Sequence, residues 1–296
     1  MRVFVTGATG FIGTEVVKEL IGAGHQVVGL SRSEEKAASL SQAGAEVRLG
    51  TIDEVVRLAS YAAEADGVIH LAFNHDFSDF GAICAQDRRA IEALGKGLAG
   101  SSKPLVVTSG TAMAIPVEGA PATEDGPTME AAWNPRVLSE DLALALGKTG
   151  VNVSVVRLPQ VHDPRKQGLL TYAIATAREK HVFAYVGDGQ MRWPAAHVSD
   201  VARLYRLALE RGARGARYHA VAEEGIAARD IAETVGKRLG LPLRSVAPAE
   251  AEAHFGWLAR FVGHDMPASS AWTRQALNWE PTGPGLLEDL AALEIA

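Results

Sequence analysis

An α/β fold built on a doubly wound parallel sheet, with a smaller C-terminal lobe, is predicted by three observations. A glycine triplet stands between a strand and a helix near the N-terminus, strands and helices alternate to about residue 160, and the pattern loosens after that. The first is the most informative. The apolar strand Val3-Phe4-Val5 runs into Thr6-Gly7-Ala8-Thr9-Gly10-Phe11-Ile12-Gly13, and Ile12, Val16, Val17, Leu20 and Ile21 then repeat with helical spacing. Gly7 allows a tight turn, Gly10 lets the backbone approach a pyrophosphate, and Gly13 lets the helix pack closely on the strand. The helix N-terminus turns free N–H groups and a positive dipole end toward phosphates. Gly7, Thr9, Gly10, Phe11, Ile12 and Gly13 are therefore the expected dinucleotide contacts of a Rossmann fold.

The remaining elements follow in order. Gly22 and Gly24 end the first helix, and 25–30 is the second strand. Residues 45–49 form a third strand, 54–65 a helix and 67–72 a buried fourth strand. A helix is expected over 87–99, a fifth strand over 104–109, a helix over 134–146 and a sixth strand over 151–157. Such alternation predicts a parallel sheet with ligands at the carboxyl ends of its strands. The loops after residues 6, 31, 50, 72, 109 and 158 should form one rim. Residues 1–160 are the expected dinucleotide domain, with 197–220 returning to it. Residues 161–196 and 221–296, broken by Gly187-Asp188-Gly189, Trp193-Pro194 and Leu241-Pro242, are the expected substrate lobe, with one helix over 226–240.

Composition narrows the function classes. The 296 residues are 47% hydrophobic and 22% charged, and a net charge of −6 offers no broad basic surface for nucleic acid. The single cysteine, Cys84, excludes an intrachain disulfide and fits a reducing cytoplasm. A strand expected from residue 2 predicts that no signal peptide is present, and no apolar run is long enough to span a membrane. No metal site is read from the sequence.

The second strand ends at Ser31-Arg32-Ser33, where an NAD site usually carries an Asp or Glu for the ribose 2′-hydroxyl. A carboxylate repels a 2′-phosphate and a guanidinium attracts one. The expected cofactor is NADP(H) in preference to NAD(H), with Ser31 and Ser33 adding hydroxyl donors.

The chain resembles the extended short-chain dehydrogenase/reductases, the NAD-dependent epimerase/dehydratase family, over nearly its full length. The likeness rests on the glycine motif, Val68-Ile69-His70-Leu71-Ala72, Leu105 to Ser109, Arg157-Leu158-Pro159, Gly187-Asp188-Gly189 and His197-Val198-Ser199-Asp200-Val201-Ala202. It implies that Leu71, Ala72, Phe73, Thr108, Ser109 and Pro159 also line the cofactor, that the substrate is a small molecule, and that a homodimer is one assembly open to the chain. It also exposes a departure. The family's Tyr-x-x-x-Lys, in which Tyr donates a proton and Lys tunes it, should fall within 133–140, yet no Tyr occurs between Tyr61 and Tyr172. Aligning Pro135 and Ser139 with the usual Pro-Tyr-x-x-Ser-Lys puts Arg136 at the Tyr place and Glu140 at the Lys place.

On a helix capped by Asn134, Arg136 and Glu140 share one face, either as a surface ion pair or turned toward a nicotinamide ribose. In the second case Glu140 accepts from ribose hydroxyls and Arg136 anchors a carboxylate or an oxyanion. Arg136 stays protonated and cannot donate. Candidate acids are His75, with Asp76 to orient it, and His162, followed by Asp163; Thr111 and Ser109 are candidates to orient a carbonyl. Phe73, Phe77, Met113, Trp133, Tyr172, Met191, Arg192 and Trp193 are the expected pocket walls, of which Phe77, Met113, Trp133, Arg192 and Trp193 are the principal substrate residues, suited to an apolar or ring-bearing molecule. Two functions follow as expectations. One is an NADP(H)-dependent reductase of a small carbonyl, imine or activated alkene with a non-standard proton donor. The other is a non-catalytic NADP(H)-binding sensor or regulator.

Overall fold

The computed structural model describes residues 1–75, 79–117 and 119–294. Its first half alternates β1 (Arg2–Thr6), α1 (Phe11–Gly22), β2 (Gln26–Ser31), α2 (Glu34–Gln42), β3 (Glu46–Leu49), α3 (Val55–Glu64), β4 (Gly67–His70), α4 (Phe80–Leu98), β5 (Pro104–Gly110), α5 (Val137–Lys148) and β6 (Asn152–Leu158). The chain goes on through β7 (Gln160–His162), α6 (Leu170–Lys180), β8 (Phe183–Val186), β9 (Arg192–His197), α7 (Val198–Arg211) and β10 (Arg217–His219). It closes with β11 (Glu223–Ala227), α8 (Ala228–Leu239), β12 (Leu243–Val246), α9 (Ala251–Phe255), α10 (Ala259–Val262), α11 (Ala271–Leu277) and α12 (Leu286–Ala291).

Seven strands in the order β10-β6-β5-β4-β1-β2-β3 form one parallel sheet of Rossmann type. Strand order reverses between β1 and β4, which opens the crevice where such sheets hold ligands. Successive side chains alternate between the faces. Val3, Val5, Ile69, Val106 and Val156 join the core under α1 and α7. Phe4, Val68, Leu105, Val107 and Val155 join the core under α3, α4 and α5. After β6 the chain builds a three-stranded sheet, β11-β9-β7, and a two-stranded one, β12-β8, around a separate core that includes Ile174, Phe183, Trp193, Ile231 and Leu286. α7 and β10 belong to the main layer, with β10 paired to β6.

Three of the differences from the sequence expectation concern helix starts and have a local hydrogen-bond cause. α2 was not anticipated; the Ser33 side chain caps it by accepting from Lys36 N. α4 begins at Phe80 rather than 87, because the Asp79 carboxylate accepts from Ala82 N at 2.9 Å, while Asp87 is buried on the inner face. α5 begins at Val137 rather than 134, because the Asn134 side chain accepts from Arg136 N at 3.1 Å and closes a turn.

Candidate active site

The glycine turn is shaped by backbone contacts that no side chain tolerates. Gly7 has φ +69, and a Cβ there would lie 2.7 Å from Ala72 N; one on Gly13 would lie 2.0 Å from Gly7 O. Gly10 N donates to Gly7 O at 2.9 Å and Gly10 caps α1 without a side-chain acceptor. The first-turn N–H groups of α1 therefore face outward over a bare backbone, a cradle that fits a dinucleotide pyrophosphate. Behind it runs a buried polar chain that the sequence reading missed. Ala72 N donates to Thr6 Oγ1 at 3.3 Å, Thr6 Oγ1 meets His70 Nδ1 at 2.7 Å, and His70 Nε2 meets Asp87 Oδ1 at 3.1 Å. One histidine tautomer satisfies all three contacts, so the ends of β1 and β4 are held together beneath the cradle. Burial raises the Asp87 pKa, but the His70 hydrogen bond and the Arg136 charge outweigh it and hold the carboxyl below its ordinary value. The available signal was a histidine ending the apolar run Val68-Ile69-His70.

At the end of β2 the Ser31 hydroxyl donates to Ser33 O at 2.9 Å, so Ser31 and the capping Ser33 shape the turn. Arg32 is exposed and makes no ion pair among the described residues. No carboxylate occupies its place, although Glu34 and Glu35 follow in the first turn of α2.

The loop after β4 carries Leu71, Ala72, Phe73 and His75, with Leu71 N bonded to Thr6 O at 3.2 Å. Phe73 is the hub. Its ring lies edge-on to His75 and Phe80, and the Arg136 guanidinium stacks 3.6 Å from its centroid. Arg136 also donates to Thr108 O at 3.4 Å, so a permanent cation is fixed at the carboxyl ends of β4 and β5. His75 is an exposed residue whose ring is partly enclosed. That burial, and then the charges of Arg136, Lys166 and Arg32, hold its pKa below the ordinary value. Lys166 was not anticipated; its Nζ lies 5.9 Å from the Phe11 ring centroid. Asp76 and Phe77 lie outside the described residues.

Other candidates turn inward. Glu140 is buried, and its carboxylate meets Arg157 at 2.5 and 3.0 Å and Arg217 at 2.9 Å, so it neither faces a ribose nor pairs with Arg136. Burial raises its pKa, but the bond to Arg157, that cation's charge and the adjacent Ser109 hydroxyl hold it below the carboxylate range. Arg157 is fully buried and donates to His219 Nε2 at 3.1 Å. Thr108, expected on the cofactor, donates instead to His70 O at 2.7 Å and meets Tyr205 Oη at 2.7 Å in the core. Ser109, one residue on, points to the opposite face and is also buried. Thr111 is buried and donates to Leu158 O at 3.3 Å.

His162 is fully buried and bonds Asp289 of α12 at 2.6 Å, with His197 against its ring, so it is not open to the rim. Burial lowers its pKa despite Asp289. Of the pocket residues, Trp193 is buried in the lobe core with its indole N–H on Phe261 O at 3.3 Å, and Arg192 is paired with Asp265 at 2.8 Å. Trp193 is thus part of the lobe core, whereas Arg192 keeps an exposed side chain within a surface ion pair. Met113 is buried, Trp133 is 80% exposed three residues before Arg136, and Pro159 links β6 to β7. Among the described residues, no helix is long and apolar enough to cross a membrane.

Known proteins share both sequence and architecture. The model of the NAD dependent epimerase/dehydratase family matches residues 3–222. An uncharacterized protein of Schizosaccharomyces pombe is 46% identical over 293 residues, covering 99% of both chains. The 2′-dehydrokanamycin reductase of Streptomyces kanamyceticus is 32% identical over 265 residues, covering 84% of this chain and 70% of that one. The dTDP-glucose 4,6-dehydratase DesIV of Streptomyces venezuelae, solved with NAD bound, superposes with a TM-score of 0.78 at 20% identity, covering 98% of this chain and 95% of the other. With its glycine cradle set at the reversal point of a seven-stranded parallel sheet, the chain belongs to the NAD dependent epimerase/dehydratase family.

Proposed function

We propose that the protein is an NADP(H)-dependent reductase of a small, apolar or ring-bearing carbonyl, imine or activated alkene. The observation that carries this reading is Arg136, a guanidinium held on the Phe73 ring and the Thr108 carbonyl beside the strand ends. The relative named as a reductase supports the reductive direction. When bound, the cofactor supplies the hydride. The cradle of Gly7, Gly10 and Gly13 and the α1 N-terminus take its phosphates, and Arg32 takes the 2′-phosphate. Arg136 replaces an acid with a permanent charge: it stabilises negative charge developing on the substrate heteroatom without giving up a proton. His75 is the rim group that passes the proton from solvent to that atom, so hydride and proton add across one double bond.

The test is NADPH consumption by the purified protein with aldehydes, ketones, imines and enones. Arg136→Ala is expected to lower kcat/KM by about 10²–10³-fold, with NADPH affinity by fluorescence titration retained. Full turnover in that variant refutes the reading. The inward turn of Glu140, Thr108 and His162 favours the alternative, an NADP(H)-binding sensor, and tight NADPH binding without turnover on the whole panel selects it.

A further inference from the structure

His70 is the hub of a buried framework that reaches the Arg136 guanidinium by two routes. Thr6 and His70 pair across β1 and β4, and both side chains are buried. On the first route the His70 ring meets Thr6 Oγ1 at 2.7 Å, and Thr6 Oγ1 accepts from Ala72 N at 3.3 Å. The next residue is Phe73, whose ring centroid lies 3.6 Å from Arg136 Cζ. On the second route Thr108 Oγ1 donates to His70 O at 2.7 Å, and Thr108 O accepts from Arg136 Nη2 at 3.4 Å. α4 touches the first route twice. Phe80 and Asp87 stand at i and i+7 on one face of that helix, Phe80 against the Phe73 ring and Asp87 Oδ1 at 3.1 Å from His70 Nε2.

Packing does not explain Asp87. It is 1% exposed, and its Oδ2 has no hydrogen-bond partner among the described residues. A buried carboxylate with an unfilled oxygen costs stability, and an apolar side chain of that size avoids the cost. What a carboxylate supplies is direction. Ionised, it only accepts, so His70 Nε2 carries a proton and donates it to Oδ1. Nδ1 is then an acceptor, and it takes the Thr6 hydroxyl proton, because the other partner of that hydroxyl, Ala72 N, is itself a donor. The hydroxyl oxygen is thereby left to accept from Ala72 N. Each contact fixes the sense of the next.

We infer that Asp87 is a positioning residue: by setting the His70 tautomer it holds Ala72 and Phe73, and through them it keeps the Arg136 guanidinium at the strand ends. The inference rests on the role given to Arg136 above. The glycine turn is held separately, by Gly10 N on Gly7 O and Leu71 N on Thr6 O, so cofactor affinity does not depend on Asp87.

Heteronuclear NMR of the histidine rings and of the Arg136 guanidinium tests this without turnover. In the parent protein His70 is expected as the Nε2–H tautomer, with the Arg136 guanidinium protons shifted upfield by the Phe73 ring. Asp87→Leu is expected to bring in the Nδ1–H form and to reduce the upfield shift. With the best substrate of the carbonyl, imine and enone panel, its kcat is expected to fall by about 10–100-fold, while KM for NADPH is kept. Asp87→Asn retains an acceptor for Nε2–H and is expected to restore the tautomer, the shift and most of kcat, a rescue that a loss of stability alone does not produce. Thr6→Val breaks the relay one step further on, removes no charge, and is expected to reproduce the loss of shift and kcat; it carries the test if Asp87→Leu does not fold. An unchanged Arg136 shift and kcat in a folded Asp87→Leu or Thr6→Val variant overturns the inference, as does an Nδ1–H tautomer in the parent. Full turnover in Arg136→Ala instead overturns the role of Arg136, and the NMR shifts then still decide whether Asp87 positions it.

Discussion

Replacing Glu140 by Gln neutralises a carboxylate that serves two guanidinium groups inside the protein. Its Oε1 meets Arg157 Nη2 at 2.5 Å and Arg217 Nε at 2.9 Å, and its Oε2 meets Arg157 Nε at 3.0 Å. An amide has one acceptor oxygen, and its NH₂ would confront a second cation. Breaking a buried pair costs about 3–5 kcal/mol; Gln keeps the volume and one acceptor, so the loss falls near the lower end. At roughly 2–4 °C per kcal/mol for a chain of this order of size, Tm drops by on the order of 10 °C. The assay is thermal and denaturant unfolding by circular dichroism, with NADPH titration of the folded variant. Stability should fall while NADPH affinity is kept. Unchanged stability with weakened NADPH binding would refute the argument and return Glu140 to the ribose.

The same cluster sets a pH dependence. The Glu140 pKa is lowered in the fold, so its contribution is present above the ordinary carboxylate value and is lost as pH falls through the folded value. Burial and the Arg157 charge lower His219 from 6.5 to about 4, which keeps it neutral with Nε2 accepting from Arg157 and Nδ1 donating to Ser269 O. Its contribution is complete above 6.5 and drains as pH falls toward 4. The Glu140 charge raises the His219 pKa, so Glu140→Gln lowers it further and widens that second window.

Three further outcomes test the site. Gly13→Ala puts a Cβ 2.0 Å from Gly7 O, a backbone atom that cannot swing aside, so α1 must move off β1. It should cost about 1–3 kcal/mol of stability in a melt and abolish NADPH binding; retained binding refutes the cradle. Thr108→Val strips the hydroxyl from His70 O and from the buried Tyr205 phenol, costing about 1–3 kcal/mol in denaturant unfolding. NADPH affinity should not change, and a selective loss of affinity would place Thr108 on the cofactor after all. Arg32→Ala should weaken NADPH by about tenfold, the worth of one charge-assisted contact, with NADH unaffected; equal losses in paired titrations refute 2′-phosphate recognition.

The main sheet was legible in the sequence because its signals are local. The glycine triplet lies within one turn, and each strand announces itself over a few apolar residues. The partners of buried charges are not local. Glu140 meets Arg157 17 residues away, and His162 meets Asp289 127 residues away. Adjacency on a rim loop therefore says little about where a side chain ends. Strand parity carries part of that information. Ser109 and Arg157 share the parity of Leu105, Val107, Val153 and Val155, which face α5, whereas Thr108 shares that of Val106, which faces α7. Parity alone sends Thr108 to the face covered by α7, which carries Tyr205, and Arg157 to the face covered by α5, which carries Glu140.

The fate of Arg136 and Glu140 shows how a small boundary shift alters chemistry. A helix beginning at 134 makes them i and i+4 neighbours on one face. The Asn134 turn moves the first helical residue to Val137, so Arg136 stands outside the helix as its cap while Glu140 keeps an inward helical position. One charge is thereby sent to the strand ends and the other to the core. Each finds a fixed partner there, Phe73 for the cation and Arg157 for the carboxylate. At the rim Arg136, Lys166 and Arg32 act on His75, while Glu140 and Asp87 are engaged in the interior by Arg157 and His70. A mouth charged in this way favours anionic ligand groups and developing oxyanions, and it disfavours a protonated imidazole at His75 until bound phosphates offset the cations. Proton affinity at His75 and phosphate occupancy of the cradle are then two readings of one electrostatic balance.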